Sequence, residues 1–188
     1  MDTPTLLLID VQREYFSPES PLRIPDGNAV LDRLSGLLSA ARDAGVPVIH
    51  VQHHEDAASE VFATGTAAVE TMEAVAPADG EPVVVKHLPG SFDGTTLDEE
   101  LGKLGTRTLI IGGFMTHMCC DTTAREAAAR GLDVVFLTDG TATRDLDGPS
   151  GGVLPHAVVH EATLAAQADG FSKLADVASV RQSLTDPS

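Results

Sequence analysis

The chain has no tryptophan, a single tyrosine (Tyr15) and only 4% aromatic residues, so its core must be built mainly from aliphatic side chains. Lysine occurs only at Lys86, Lys103 and Lys173, and Lys plus Arg number 12 against 28 Asp plus Glu. The net charge of −16 argues against nucleic acid and anionic membrane surfaces as partners. Cysteine is equally scarce. The 2 present are neighbours, Cys119 and Cys120, and adjacent cysteines cannot staple a fold, which makes a reducing cytoplasm the natural compartment. No apolar run approaches the ~20 residues of a membrane span, and the N-terminus shows neither the charged nor the apolar region of a signal peptide.

With 188 residues, 43% of them hydrophobic and 21% charged, the chain fits one globular domain over residues 1–188 with a substantial core. Apolar runs alternate with helical patterns. Strands are predicted at 5–9 (TLLLI), 46–51 (VPVIHV), 81–85 (EPVVV), 108–111 and 132–137 (LDVVFL). Helices are predicted at 28–43, after the cap Thr96, after the cap Thr116, and at 155–169, with an edge strand near 171–174 and a short final helix. Residues 52–80 are less regular, with one short helix in their alanine-rich middle. Continuous apolar strands separated by amphipathic helices imply an α/β fold, a three-layer α/β/α sandwich with a mostly parallel, Rossmann-type sheet. Ligands bind such sheets at the carboxyl ends of the strands. Asp10 ends the first strand there, Lys86 ends the third, and Cys119 opens the helix after the fourth.

Residues 112–131 (GGFMTHMCCDTTAREAAARG) carry the chemistry. A strand, a glycine turn and a helix starting at Thr116 place Cys119 in the first helical turn. There the positive end of the helix dipole and Lys86 are expected to lower the thiol's pKa below its free value of ~8.5. Cys120 shares a stripe with Ala124, Ala127 and Ala128 and is read as core, since neighbouring helical residues point about 100° apart. Each group alone has an ordinary structural explanation: Asp10 as a loop cap, Lys86 as a snorkelling side chain, Cys119 as a small buried hydrophobe. Together they are complementary, a carboxylate to accept the thiol proton and an ammonium to stabilise the thiolate.

Three blocks, LLLIDVQREYF, VVVKHLPGSFDGTTLDEEL and LIIGGFMTHMCCDTTAREAAARGLDVVFLTDGTAT, together with the final AVVHEATLAAQADGF helix, resemble the isochorismatase-like cysteine hydrolases over nearly the whole chain. The resemblance implies an Asp10–Lys86–Cys119 triad, a cis Phe114–Met115 peptide, and an oxyanion hole from the backbone N–H groups of Met115 and Cys119. It also implies hydrolysis of a C–N bond in a small amide or ureide through a thioester, no cofactor, and a homodimer or higher homo-oligomer. Family nicotinamidases carry an Asp-x-His metal cluster after the second strand. Here that place reads QHHEDAAS, and adjacent His53 and His54 on an extended segment face opposite ways, so no metal is predicted. Specificity is assigned to the strand-end loops 12–16, 53–65, 91–92 and 141–152. Gln12, Phe16, Phe92 and His117 are the candidate substrate contacts, the two phenylalanines as an apolar wall. Two other readings remain: a redox-responsive binding protein using the Cys119–Cys120 pair, and the ether chemistry of true isochorismatases, which lack the nucleophilic cysteine.

Overall fold

In the computed structural model, which describes residues 2–185, the apolar runs become strands of one sheet. They are β1 (Pro4–Ile9), β2 (Val48–His53), β3 (Val83–Lys86), β4 (Thr108–Phe114), β5 (Asp133–Ala142) and, at the far edge, β8 (Lys173–Ala175), in the order β3-β2-β1-β4-β5-β8. Every pairing in it is parallel. The side-chain period of two splits β1 between the faces. Leu6 and Leu8 join one core with α1 (Gly27–Asp43) and α5 (Val177–Thr185). Leu7 and Ile9 join a second core with α2 (Leu97–Leu104), α3 (Asp121–Ala129) and Leu164 of α4 (His156–Gly170). Helices on both faces make the expected three-layer sandwich. Strand order reverses direction between β1 and β4, and that switch point is where such sheets open a crevice.

Several expectations shift. β3 is an edge strand with Val83 and Val85 left exposed, so its apolar run does not signify burial on both faces. Residues 52–80 hold two 3-10 turns, Ala67–Val69 and Glu73–Val75, instead of one helix. β5 runs on past residue 137 to Ala142, and the glycine-rich loop behind it forms a small hairpin from β6 (Leu146–Asp147) and β7 (Val153–Leu154). No helix among the described residues is long and apolar enough to cross a membrane.

The main correction concerns the start of the helix after β4. Thr116 does not cap it: Thr116–Cys120 form a π-helical turn, and α3 begins only at Asp121. The Thr116 hydroxyl is turned towards His160 and donates to its Nδ1 at 2.9 Å, and no helix N–H bonds to it. The Met115 carbonyl accepts from Cys120 N five residues on (3.2 Å), the spacing that defines a π turn. Just upstream, Gly113 has φ +125°, and a Cβ there would stand 2.0 Å from the Ile9 carbonyl oxygen. Only glycine lets β4 pass this close to the end of β1.

Candidate active site

Three strand ends converge at the switch point. Asp10 follows β1 in the left-handed region (φ +52°), its N–H donating to the Val51 carbonyl at 3.0 Å. Lys86, the last residue of β3, reaches past β2 and is completely buried. Its Nζ stands 2.8 Å from Asp10 Oδ2 and 3.4 Å from Cys119 Sγ. The Leu88 carbonyl at 3.0 Å and His53 Nδ1 at 3.1 Å complete its surroundings. The structure therefore brings together all three residues that the sequence placed at one sheet edge. The Phe114–Met115 peptide is cis.

Burial alone would pull the Lys86 pKa down, but the Asp10 carboxylate and Cys119 more than offset it, and the ammonium is held above its ordinary value. Cys119 goes the other way from expectation. Burial first and then the Asp10 charge push its thiol up to about 12, with Lys86 only partly opposing them. The expected lowering does not occur because the sulfur sits inside the π turn, desolvated, with a carboxylate in hydrogen-bonding reach. At neutral pH this raised value favours the thiol form of Cys119. Cys120 is fully buried on the Ala124 and Ala127 side, its thiol also pushed up by burial. Both cysteines are free, and a thiol so buried and protonated is a poor redox sensor.

Cys119 opens into a cavity of about 250 Å³ walled by Tyr15, His53, Phe62, Met115, Met118 and Arg144, with Glu55 and His87 at its edge. A larger cavity, about 360 Å³ between the starts of α1 and α4, contains none of the triad. The four candidate substrate contacts all lie off the reactive cavity. Gln12 is fully buried and acts as a strut: its amide donates to the carbonyls of His53 and Val69 (both 2.9 Å) and accepts from His53 N–H (2.8 Å). Phe16 packs edge-on against Phe114, with ring centroids 5.6 Å apart. Phe92 lies in the α2/α3 core beneath the Arg130 guanidinium. His117 bonds Thr143 Oγ1 at 2.5 Å, and burial lowers its pKa.

His53 and Met115 apart, the wall comes from residues the sequence did not name individually, although Tyr15, Phe62 and Arg144 fall in the loops 12–16, 53–65 and 141–152 to which specificity was assigned. Tyr15, the only tyrosine, stacks edge-on with Phe62 (5.1 Å) and Phe114 (5.7 Å). Glu14, beside it, holds the backbone N–H of Phe62 at 3.1 Å. Within DVQREYF, residues 12 and 14 are struts and 15 is wall. Arg144 brings an Nε that is buried and has no hydrogen-bond partner among the described residues, while its Nη1 donates to the Asp145 carbonyl at 3.0 Å. Its only sequence signal was a place in the 141–152 loop.

The residues in the place of the nicotinamidase metal cluster do not fit a metal. His53 Nε2 is turned to Glu55 Oε1 at 2.7 Å, whereas His54 Nε2 faces Gln52 Oε1 at 3.2 Å. Among the described residues no group of three or more His, Cys, Asp or Glu is placed to hold an ion.

The isochorismatase domain profile matches residues 4–171. The chain belongs to the isochorismatase family of hydrolases. Among its relatives, the secreted isochorismatase effector Isc1 of Verticillium dahliae is 41% identical over 76% of this chain and 74% of its own length. Nicotinamidase 3 of Arabidopsis thaliana is 32% identical, over 95% of this chain and 87% of its own. Maleamate amidohydrolase of Pseudomonas putida is 30% identical over 77% and 74% respectively. A crystal structure of an isochorismatase from Pseudomonas putida KT2440 superposes with a TM-score of 0.89 at 36% identity, covering 94% of this chain and 89% of that one.

Proposed function

We propose that this family member is a cysteine hydrolase that cleaves the C–N bond of a small amide or ureide bearing an anionic group. The observation that carries the reading is the buried contact series Asp10 Oδ2–Lys86 Nζ (2.8 Å) and Lys86 Nζ–Cys119 Sγ (3.4 Å) opening on one cavity. As the sulfur attacks the carbonyl carbon, its proton passes to Asp10 and the emerging thiolate is stabilised by Lys86. The oxyanion is received by the N–H groups of Met115 and Cys119. Protonated Asp10 then delivers the proton to the leaving nitrogen, and a water activated by the same carboxylate releases the acid from the thioester.

A raised thiol pKa is compatible with this order, because the proton leaves in concert with attack and no resting thiolate is required. The cavity of about 250 Å³ lies below the ~300–1,000 Å³ of drug-sized sites and suits a small substrate. The unpartnered Arg144 Nε asks for an acceptor, and a carboxylate on the substrate meets that need at roughly twice the strength of a neutral acceptor. The amidohydrolase names of relatives support amide chemistry, and maleamate is an amide with a carboxylate. The free, buried cysteines fit a reducing compartment.

The test is an ammonia-release screen over small amides and ureides, paired so that each carboxylate-bearing compound has a neutral counterpart. Turnover is expected in the carboxylate series and is abolished by Cys119→Ala. Arg144→Gln should raise KM for the acids by roughly 10–100-fold, the loss of one charge-assisted contact, and leave neutral amides unchanged. Activity that persists in Cys119→Ala refutes the nucleophile.

A further inference from the structure

Tyr15 is held everywhere except at its hydroxyl. Its N–H donates to the Gln12 carbonyl at 3.2 Å, and its own carbonyl accepts from Ile24 N–H at 3.0 Å. The ring packs edge-on against Phe62 and Phe114, with planes at 73° and 60°, and only 2% of the residue is exposed. A tyrosine buried to this degree ordinarily finds a partner for its O–H. Among the described residues Oη has none, and it is not one of the sealed polar atoms. It is open to the cavity that Tyr15 lines together with Cys119.

The hydroxyl also lies close to the reacting groups. After burial, the charges of Cys119 and then Asp10 act on it most strongly, and together they hold its pKa well above the ordinary 10. Such charge effects fall off with distance. Tyr15 therefore stays protonated at neutral pH, able to donate one hydrogen bond and to accept others. The other polar groups around the cavity are committed elsewhere or cannot accept. His53 turns one ring nitrogen to Lys86 at 3.1 Å and the other to Glu55 at 2.7 Å. His87 Nδ1 bonds the His54 carbonyl at 2.7 Å, and the Arg144 guanidinium only donates.

We propose that Tyr15 Oη accepts a hydrogen bond from the leaving nitrogen of the substrate and so makes the site favour an unsubstituted –NH2 over an N-alkyl group. This rests on the cysteine-hydrolase reading given above. A primary amide nitrogen brings two N–H groups. The Asp10 carboxylate, whose two oxygens have no hydrogen-bond partner among the described residues, accepts one, and Tyr15 accepts the other. After attack, the N–H held by Tyr15 leaves the nitrogen lone pair turned to the protonated Asp10. The C–N bond breaks with its electron pair on nitrogen, which takes the proton that Asp10 received from sulfur and departs as ammonia. The acyl group stays on sulfur as the thioester. An N-methyl group puts carbon where the second N–H should be and leaves the hydroxyl against an apolar surface.

The experiment takes the carboxylate-bearing primary amide or ureide that releases ammonia fastest in the screen and compares it with its N-methyl derivative, the acid product of each being measured by chromatography. Wild-type kcat/KM should be roughly 10–100-fold higher for the –NH2 compound. Tyr15→Phe keeps the ring and its packing. It should lower kcat/KM for the –NH2 compound by roughly 10–100-fold and leave the N-methyl compound within about threefold of wild type, so that the preference collapses. Its melting temperature should match or exceed that of wild type, because no hydrogen bond of the folded protein is lost. A Tyr15→Phe protein that prefers –NH2 as strongly as wild type overturns the inference. So does an equal loss on both compounds with a lower melting temperature, which marks the hydroxyl as a structural part. Turnover that survives Cys119→Ala, or no turnover of any amide by the wild type, refutes the hydrolase reading itself, and the inference falls with it.

Discussion

Asp10 occupies the left-handed region at φ +52°, where a residue other than glycine costs about 1–3 kcal/mol unless its surroundings hold it. Its backbone is held by Val51 and its side chain by Lys86, and the conformation aims the carboxylate at both the ammonium and the thiol. Asparagine tolerates the same φ, so Asp10→Asn preserves the geometry while removing the carboxylate that we propose carries the proton. We expect kcat to fall by roughly 10²–10⁴ with KM close to wild type. The melting temperature should fall as well, since a buried ammonium is left without its counter-charge, a loss of about 3–5 kcal/mol. Steady-state kinetics set beside a thermal melt separate the two effects; an unchanged kcat rules out Asp10 as the proton carrier.

At the scale of elements, the site depends on how closely β4 passes β1. A methyl at Gly113 would meet the Ile9 carbonyl at 2.0 Å, and φ +125° is closed to alanine. Gly113→Ala should therefore cost at least about 3 kcal/mol, read as a lower urea midpoint or as failure to fold. A loss below 1 kcal/mol would show that β1 can move aside. This is also the scale at which the sequence was most legible. TLLLI and TLII read as buried strands because they are continuous apolar runs, and the ends of such strands lie at the carboxyl edge; that logic located Asp10 after the first, Lys86 after EPVVV and, through the glycine turn into a helix, Cys119. It failed for Thr116 because a hydroxyl that looks like a cap is taken by His160, 44 positions away. It failed likewise for the cavity wall. Gln12 reads as a loop residue beside the site until its amide is seen to brace residues 53 and 69. Phe62 and Tyr15 meet only because Glu14 ties down the loop between them. Such long-range hydrogen bonds leave no periodic mark on a sequence.

For the molecule as a whole, acid is the condition that matters. The Arg42 guanidinium first, helped by the Ala78 N–H and His50, holds the Glu81 carboxyl down from its ordinary 4.5 to about 2, against a partial opposing effect of burial. A carboxylate with a depressed folded pKa stabilises the fold above its unfolded pKa, and that contribution is lost as pH falls from 4.5 through 2. Burial also keeps His50 neutral, its pKa below the ordinary 6.5, so unfolding takes up a proton there and the loss in acid has the same sign. Glu81→Gln should lower the melting temperature at pH 7 by roughly 2–6 °C, as expected for 1–2 kcal/mol in a chain of this size, and the two curves should converge towards pH 2. A constant difference across that range would assign the effect to packing and not to charge.

The parallel sheet has one more practical outcome. Lys103 lies in the last turn of α2, which has run back along the sheet from the carboxyl edge, and Lys173 is the first residue of β8. Both exposed lysines therefore sit at the amino edge, and the remaining one, Lys86, is sealed inside. An amine-reactive bead or dye would grip the protein by its back, so the protein could be tethered to a solid support with the Cys119 cavity facing the liquid.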